Sequence, residues 1–178
     1  MSRVSWCLSL LCAGALLLLI LAGSDSVAGL PPQGRAGSED SLAIIVNRSN
    51  PVESLSLGEL RKVFMGDQTH WSNGRRITVL MLEPGKPERQ AALSQIYKMD
   101  EKDFNDYFLH SMFTGEVRTA PKAMASGAEV VKFVFNVPGA IGYVRVAEAD
   151  NSVKVVRIDS RLPSEREYAI RLHGRATK

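Results

Sequence analysis

The sequence predicts a three-layer α/β single domain with a mixed, mostly parallel sheet and helices on both faces. Two observations predict it. Short, largely apolar runs, Leu42–Val46, Ile77–Leu82, Ala140–Val146 and Val153–Ile158, have little polar alternation and read as strands covered on both sides. Between them lie segments whose apolar residues recur at helical spacing behind recognisable start signals. Strand and helix therefore alternate, which is the order of a covered, largely parallel sheet.

Each element has its own justification. Leu42-Ala43-Ile44-Ile45-Val46 is β-branched and apolar, and it ends in the turn cluster Asn47-Arg48-Ser49-Asn50-Pro51. Ser56 and Glu59 form a capping box, after which Leu57, Leu60, Val63 and Phe64 follow a helical stripe that Gly66 stops. Polar turn residues around Trp71 and Asn73-Gly74 lead to the strand Ile77–Leu82. Glu83-Pro84-Gly85-Lys86 turns into a helix with Pro87 at its first position, where a missing N–H costs nothing, and that helix is expected to reach Tyr97. Asp100 caps the next helix, with Phe104, Tyr107, Phe108 and Met112 on its apolar side and Thr114-Gly115 at its end. Ser126 and Glu129 form a second capping box ahead of Val130, Val131, Val134 and Phe135. The domain is expected over residues 42–160, followed by a polar C-terminal tail, 161–178, in which Tyr168, Ile170 and Leu172 alternate as one edge strand.

Residues 1–28 carry the pattern of a signal peptide: Arg3, an apolar run from Trp6 to Ala22, then small residues that place Ser26 and Ala28 where a signal peptidase needs them. The alternative is an uncleaved anchor, because the run approaches the ~20 residues that cross a bilayer. The expected location is periplasmic or secreted, with cleavage near Ala28 and membrane contact only through an uncleaved segment. Both cysteines, Cys7 and Cys12, fall inside this leader, so the mature chain is expected to have no disulfide, thiolate ligand or cysteine nucleophile. Residues 29–41 read as a flexible lead-in.

A formal net charge of +3, spread along the chain, weakly favours anionic ligands. Without a Lys/Arg run or an aromatic row it does not suggest nucleic acid. No nucleophile elbow, zinc-protease helix or phosphate-binding Walker loop is present, so no enzyme and no cofactor are expected. His70, His110 and His173 are too scattered for a metal site, and His110, four residues after Asp106, suits a surface ion pair. Ligands of open α/β sheets gather at loops after strand carboxyl ends and at helix N-termini. Two such loops supply candidates: Asn47, Ser49 and Asn50 in the first, Gly85, Lys86 and Arg89 in the second. Together they are expected to hold a small anion, with ordinary solvated turns as the competing reading.

Val46–Pro51, Leu55–Leu57 with Leu60–Gly66, Trp71–Gly74, Phe113–Gly115 and Pro138–Val144, taken in order, resemble the phosphate-binding periplasmic proteins of ABC importers. Their short single-domain relatives are more similar still. The resemblance covers about residues 42–146 and is most specific at Pro138-Gly139-Ala140-Ile141-Gly142-Tyr143-Val144. It implies one lobe of a type 2 periplasmic-binding-protein fold, a small oxyanion such as phosphate as ligand, and an ABC transporter or periplasmic sensor as partner. The family's phosphate loop carries Arg-Ser-Asp-Gly-Ser-Gly-Thr. Here Leu82-Glu83-Pro84-Gly85-Lys86-Pro87-Glu88 keeps only the glycine and adds two carboxylates that repel a dianion. A single lobe also leaves an anion open to screening salt. The expectation is a non-catalytic solute-binding-like protein with weak oxyanion binding; the alternative is an interaction or sensory accessory domain that has lost its ligand.

Overall fold

The computed structural model describes residues 40–172. The leader, the lead-in up to residue 39 and His173 lie outside the described residues. The element order is β1 (Leu42–Asn47), β2 (Ser54–Leu55), α1 (Leu57–Met65), β3 (Thr78–Leu82), α2 (Pro87–Ala92) running into a π-helical turn (Leu93–Tyr97), α3 (Glu101–Thr114), β4 (Lys122–Met124), α4 (Gly127–Asn136), β5 (Ala140–Arg145), a 3₁₀ turn (Val146–Glu148), β6 (Val153–Val155) and β7 (Arg157–Ile158).

The main sheet has the order β4-β3-β5-β1-β6, and β2 and β7 form a separate parallel pair. β3 pairs in parallel with both β4 and β5. β1 pairs antiparallel with both β5 and β6. β3, β4, β5 and β6 consequently point one way and β1 alone points the other. The sheet is mixed, as expected, and mostly parallel in strand direction, although half its ladders are antiparallel because both neighbours of β1 oppose it.

β1 is buried along its whole length, which explains why its sequence has no polar alternation. The period of two along β5 sends successive side chains to opposite faces. Gly142 faces α4, where an added Cβ would lie 2.7 Å from a Val130 methyl and 3.2 Å from Leu80 Cβ. Tyr143, the next residue, stacks on Phe64 of α1 at 6.4 Å between ring centroids. Phe64 in turn meets Tyr97 edge-on at 5.8 Å, and Tyr97 meets Phe104 of α3 at 5.0 Å. Helices thus cover both faces, α4 on one and the α1, α2 and α3 group on the other.

The helix boundaries follow the sequence signals. Ser56 and Glu59 form both halves of the capping box, and Gly66 ends α1 with φ +89°. Asp100 caps α3 through the Asp103 N–H. At α4 Ser126 accepts from the Glu129 N–H, but the Glu129 carboxylate takes the N–H of Ala125, one residue before the cap. The predicted strand Val153–Ile158 is divided between two sheets, because Val156 N–H turns to Ile44 O (2.8 Å) and β7 then joins β2. The predicted edge strand at 168–172 reduces to a single bridge, Ser41 to Arg171. Tyr168 and Ile170 are nevertheless buried, and Tyr168 Oη donates to Leu42 O at 2.8 Å. Asp106 pairs with Lys102 rather than with His110, which is exposed.

Two outcomes follow. Gly142→Ala should force α4 off the sheet at Val130 and lower stability by about 1–3 kcal/mol, read by chemical denaturation. Burial pushes the hydroxyls of Tyr97, Tyr143 and Tyr168 above the ordinary value of 10.0. A raised folded-state value favours the protonated form, so this contribution is intact below pH 10 and is lost as pH climbs past it. Tyrosinate absorbance and loss of far-UV signal should rise together above that pH.

Candidate functional site

The two sequence-derived loops are not brought together. In the β1–β5 ladder Val46 stands opposite Ile141, and in the β3–β5 ladder so does Val79. The end of β1 is therefore level with the start of β3, and Leu82 lies about 10 Å further along, three residues at ~3.3 Å each. Asn47, Ser49 and Asn50 sit at one end of the sheet and Gly85, Lys86 and Arg89 at the other. The reversal of β1 is the physical reason, and it removes the shared anion site.

Each candidate has a definite local role. Asn47 Nδ2 donates to Val134 O (2.9 Å) and Phe135 O (2.6 Å) at the end of α4, and its Oδ1 accepts from the Ser49 N–H and hydroxyl. It joins β1 to α4. Asn50 is buried, its Oδ1 accepts from Val52 N–H, and its Nδ2 has no partner among the described residues. Gly85 turns the chain with φ +87°, and Lys86 is exposed at the start of α2.

Arg89 is structural. It is 5% exposed, donates to Leu82 O at 2.9 Å, forms a two-pronged pair with Glu101 and lies over the Phe104 ring. Burial opposes its charge most strongly, but hydrogen bonding and attraction from Glu101 more than compensate and hold the guanidinium's value above the ordinary one. This fork ties β3, α2 and α3 together.

The carboxyl end of β3, β4 and β5 gathers the N-termini of α2 and α4, and carboxylates already stand there. Glu88, buried in the first turn of α2, pairs with Arg145 at the end of β5. Glu148 accepts from the Arg145 N–H at 3.0 Å. Its carboxylate also rests against Gly127, close enough that an added Cβ would lie 2.3 Å from Oε2. A helix N-terminus favours negative charge, so Glu148 occupies a place suited to an anion at α4. Reading along the chain missed this because Gly127, Arg145 and Glu148 meet only through folding.

The other end holds a cleft of about 640 Å³ that the sequence reading did not anticipate. It runs between the end of α1, residues 68–79 and the α3–β4 connection, and is lined by His70, Arg76, Arg118, Lys122 and Glu116 among others.

A mixed sheet with one reversed inner strand, helices on both faces and helix N-termini at a shared edge makes this an α/β domain. The chain belongs to the PBP superfamily, whose domain matches residues 39–167. Its fold is similar to that of an ABC-type phosphate transport receptor from Vibrio cholerae, at 22% identity and a TM-score of 0.56, over 70% of this chain and 48% of that one. It is also similar to PstS from Borrelia burgdorferi, at 18% identity and a TM-score of 0.58, over 74% of this chain and 54% of that one. The chain thus matches about half the length of each.

Arg89→Ala should lower stability by roughly 2–4 kcal/mol, since it strands Leu82 O and Glu101. Lys86→Ala should change it by less than about 0.5 kcal/mol. Denaturant midpoints compare the two directly.

Proposed function

We propose that this chain is an exported, non-catalytic solute-binding-like protein, related to the phosphate receptors of ABC importers, that takes small oxyanions such as phosphate only weakly. The anion would meet the loop of Gly85 and Lys86 beside the N-terminus of α2. Membership of the PBP superfamily and the likeness to a phosphate transport receptor support the class of function. One observation carries the weakness: the Glu148 carboxylate rests against the α4 N-terminus, and buried Glu88 already engages the Arg145 guanidinium, so that edge offers a dianion a carboxylate and a cation that is taken. Hydroxyl donors are missing from the 82–88 loop, and Pro84 and Pro87 offer no N–H. Export through the 1–28 leader to the periplasm or beyond, and work beside an ABC transporter or periplasmic sensor, belong to the same proposal.

A second reading, an interaction or sensory accessory domain without a ligand, is favoured by the α3 surface. Leu109, Met112 and Phe113 are 61%, 50% and 85% exposed and share one side of that helix.

Phosphate titration followed by melting temperature separates the readings. Weak binding should raise the midpoint with the logarithm of concentration from about millimolar phosphate upward. Lys86→Ala should remove the rise, and Glu148→Gln should enlarge it by relieving repulsion. A constant midpoint up to tens of millimolar, in wild type and E148Q alike, would favour the accessory reading; micromolar affinity would refute the weak-binding proposal.

A further inference from the structure

The ends of α1 and α3, the loop of residues 68–77 and the start of β4 meet at the end of the sheet opposite the α2 and α4 N-termini. Gly66 caps α1 with φ +89° and lies against Val117, which an added Cβ would approach to 3.0 Å. Gly115 ends α3 with φ +77°, and Val117 N–H donates back to Ser111 O at 3.1 Å. These contacts fix one wall of the 640 Å³ cleft.

Trp71 fixes the other wall. It is 3% exposed, and its indole N–H donates to Gly139 O at 3.0 Å. Gly139 approaches Arg76 so closely that an added Cβ would fall 2.1 Å from Arg76 O. Residues 69–77 form a tight loop closed by Ile77 N–H to Thr69 O (2.8 Å) and Trp71 N–H to Arg75 O (2.9 Å). The Arg76 guanidinium then spans the cleft to Thr119 Oγ1 at 2.9 Å.

The cleft's charge is one-sided. Arg76, Arg118 and Lys122 face a single lining carboxylate, Glu116, with His70 as the other titratable group. None of the three cations is in an ion pair among the described residues; Lys122 rests over the Phe133 ring instead. Thr69, Thr78 and Thr119 add hydroxyls. Clefts of a few hundred Å³ lined by convergent polar groups are of ligand size, and guanidinium groups grip phosphate oxygens in pairs.

The geometry points to this cleft as a second, independent binding site for a small polyanion of the phosphate class, one bearing two or more anionic groups. Several cations spread along a cleft of this volume match a multiply charged ligand better than a single oxyanion. The site owes nothing to the α2 and α4 edge, so it stands whether or not phosphate binds there.

Inorganic pyrophosphate, titrated calorimetrically at low ionic strength, tests the assignment, with backbone amide shifts mapping its position. Saturable binding should move the amides of Thr69, Arg76, Thr119 and Lys122. The double variant Arg118→Ala/Lys122→Ala should weaken it roughly tenfold, since each exposed cation contributes about threefold. Lys102→Ala removes a cation about 18 Å away along α3, from twelve residues at 1.5 Å each, and should leave affinity unchanged. Both cations are exposed, so the variants should fold, and their melting curves check this. Absence of saturation, equal weakening by K102A, or shifts confined to residues 83–89 and 126–129 would overturn the site.

Discussion

The direction of β1 governs the rest of the molecule. It is an inner strand, buried along its length, and it runs against all four other strands of its sheet. Every loop following a strand is thereby sorted to one end or the other: the one after β1 falls with the beginnings of β3 and β5, while those after β3, β4 and β5 fall together. The architecture consequently has two chemically different ends. One gathers the helix N-termini of α2 and α4, and the other gathers the Gly66, Gly74 and Gly115 turns and the cationic cleft.

At the first end the fold offers anion-favouring dipoles, and the sequence supplies carboxylates to meet them. A helix N-terminus is stabilised by any negative group, whether ligand or side chain. Glu148 against Gly127 and Glu88 beside Arg145 give that stabilisation from within. The domain keeps the PBP-superfamily scaffold, and its own carboxylates occupy that edge. Arg89 illustrates the same inward turn, since its guanidinium closes on Leu82 O and Glu101 rather than facing solvent.

At the second end the fold brings backbone segments together where only glycine fits. Gly139 passes Arg76 O, and Gly66 lies beneath Val117. These close approaches hold the loops carrying Arg76 and Arg118 in place without using the side chains themselves. Walls held in this way, with cations in no ion pair among the described residues, lose less entropy on meeting an anion than mobile ones do.

The strands β1, β3 and β5 and the starts of α1, α2, α3 and α4 were legible along the chain, because apolar runs, Pro87, and the caps Ser56, Asp100 and Ser126 act within a few residues of themselves. β4 was not, since Lys122-Ala123-Met124 has no apolar pattern and is a strand only because β3 offers it an edge. The division of 153–158 between two sheets was likewise set by a partner, Ile44, more than a hundred residues away. The candidate residues divided the same way: local pattern was enough to place Asn47 at the end of a strand and Lys86 at the start of a helix. Strand direction, burial of Arg89 and the seating of Glu148 at α4 were decided by tertiary structure alone, because charge and hydrogen-bond partners are chosen by distance in space, which sequence spacing does not encode beyond a helical turn.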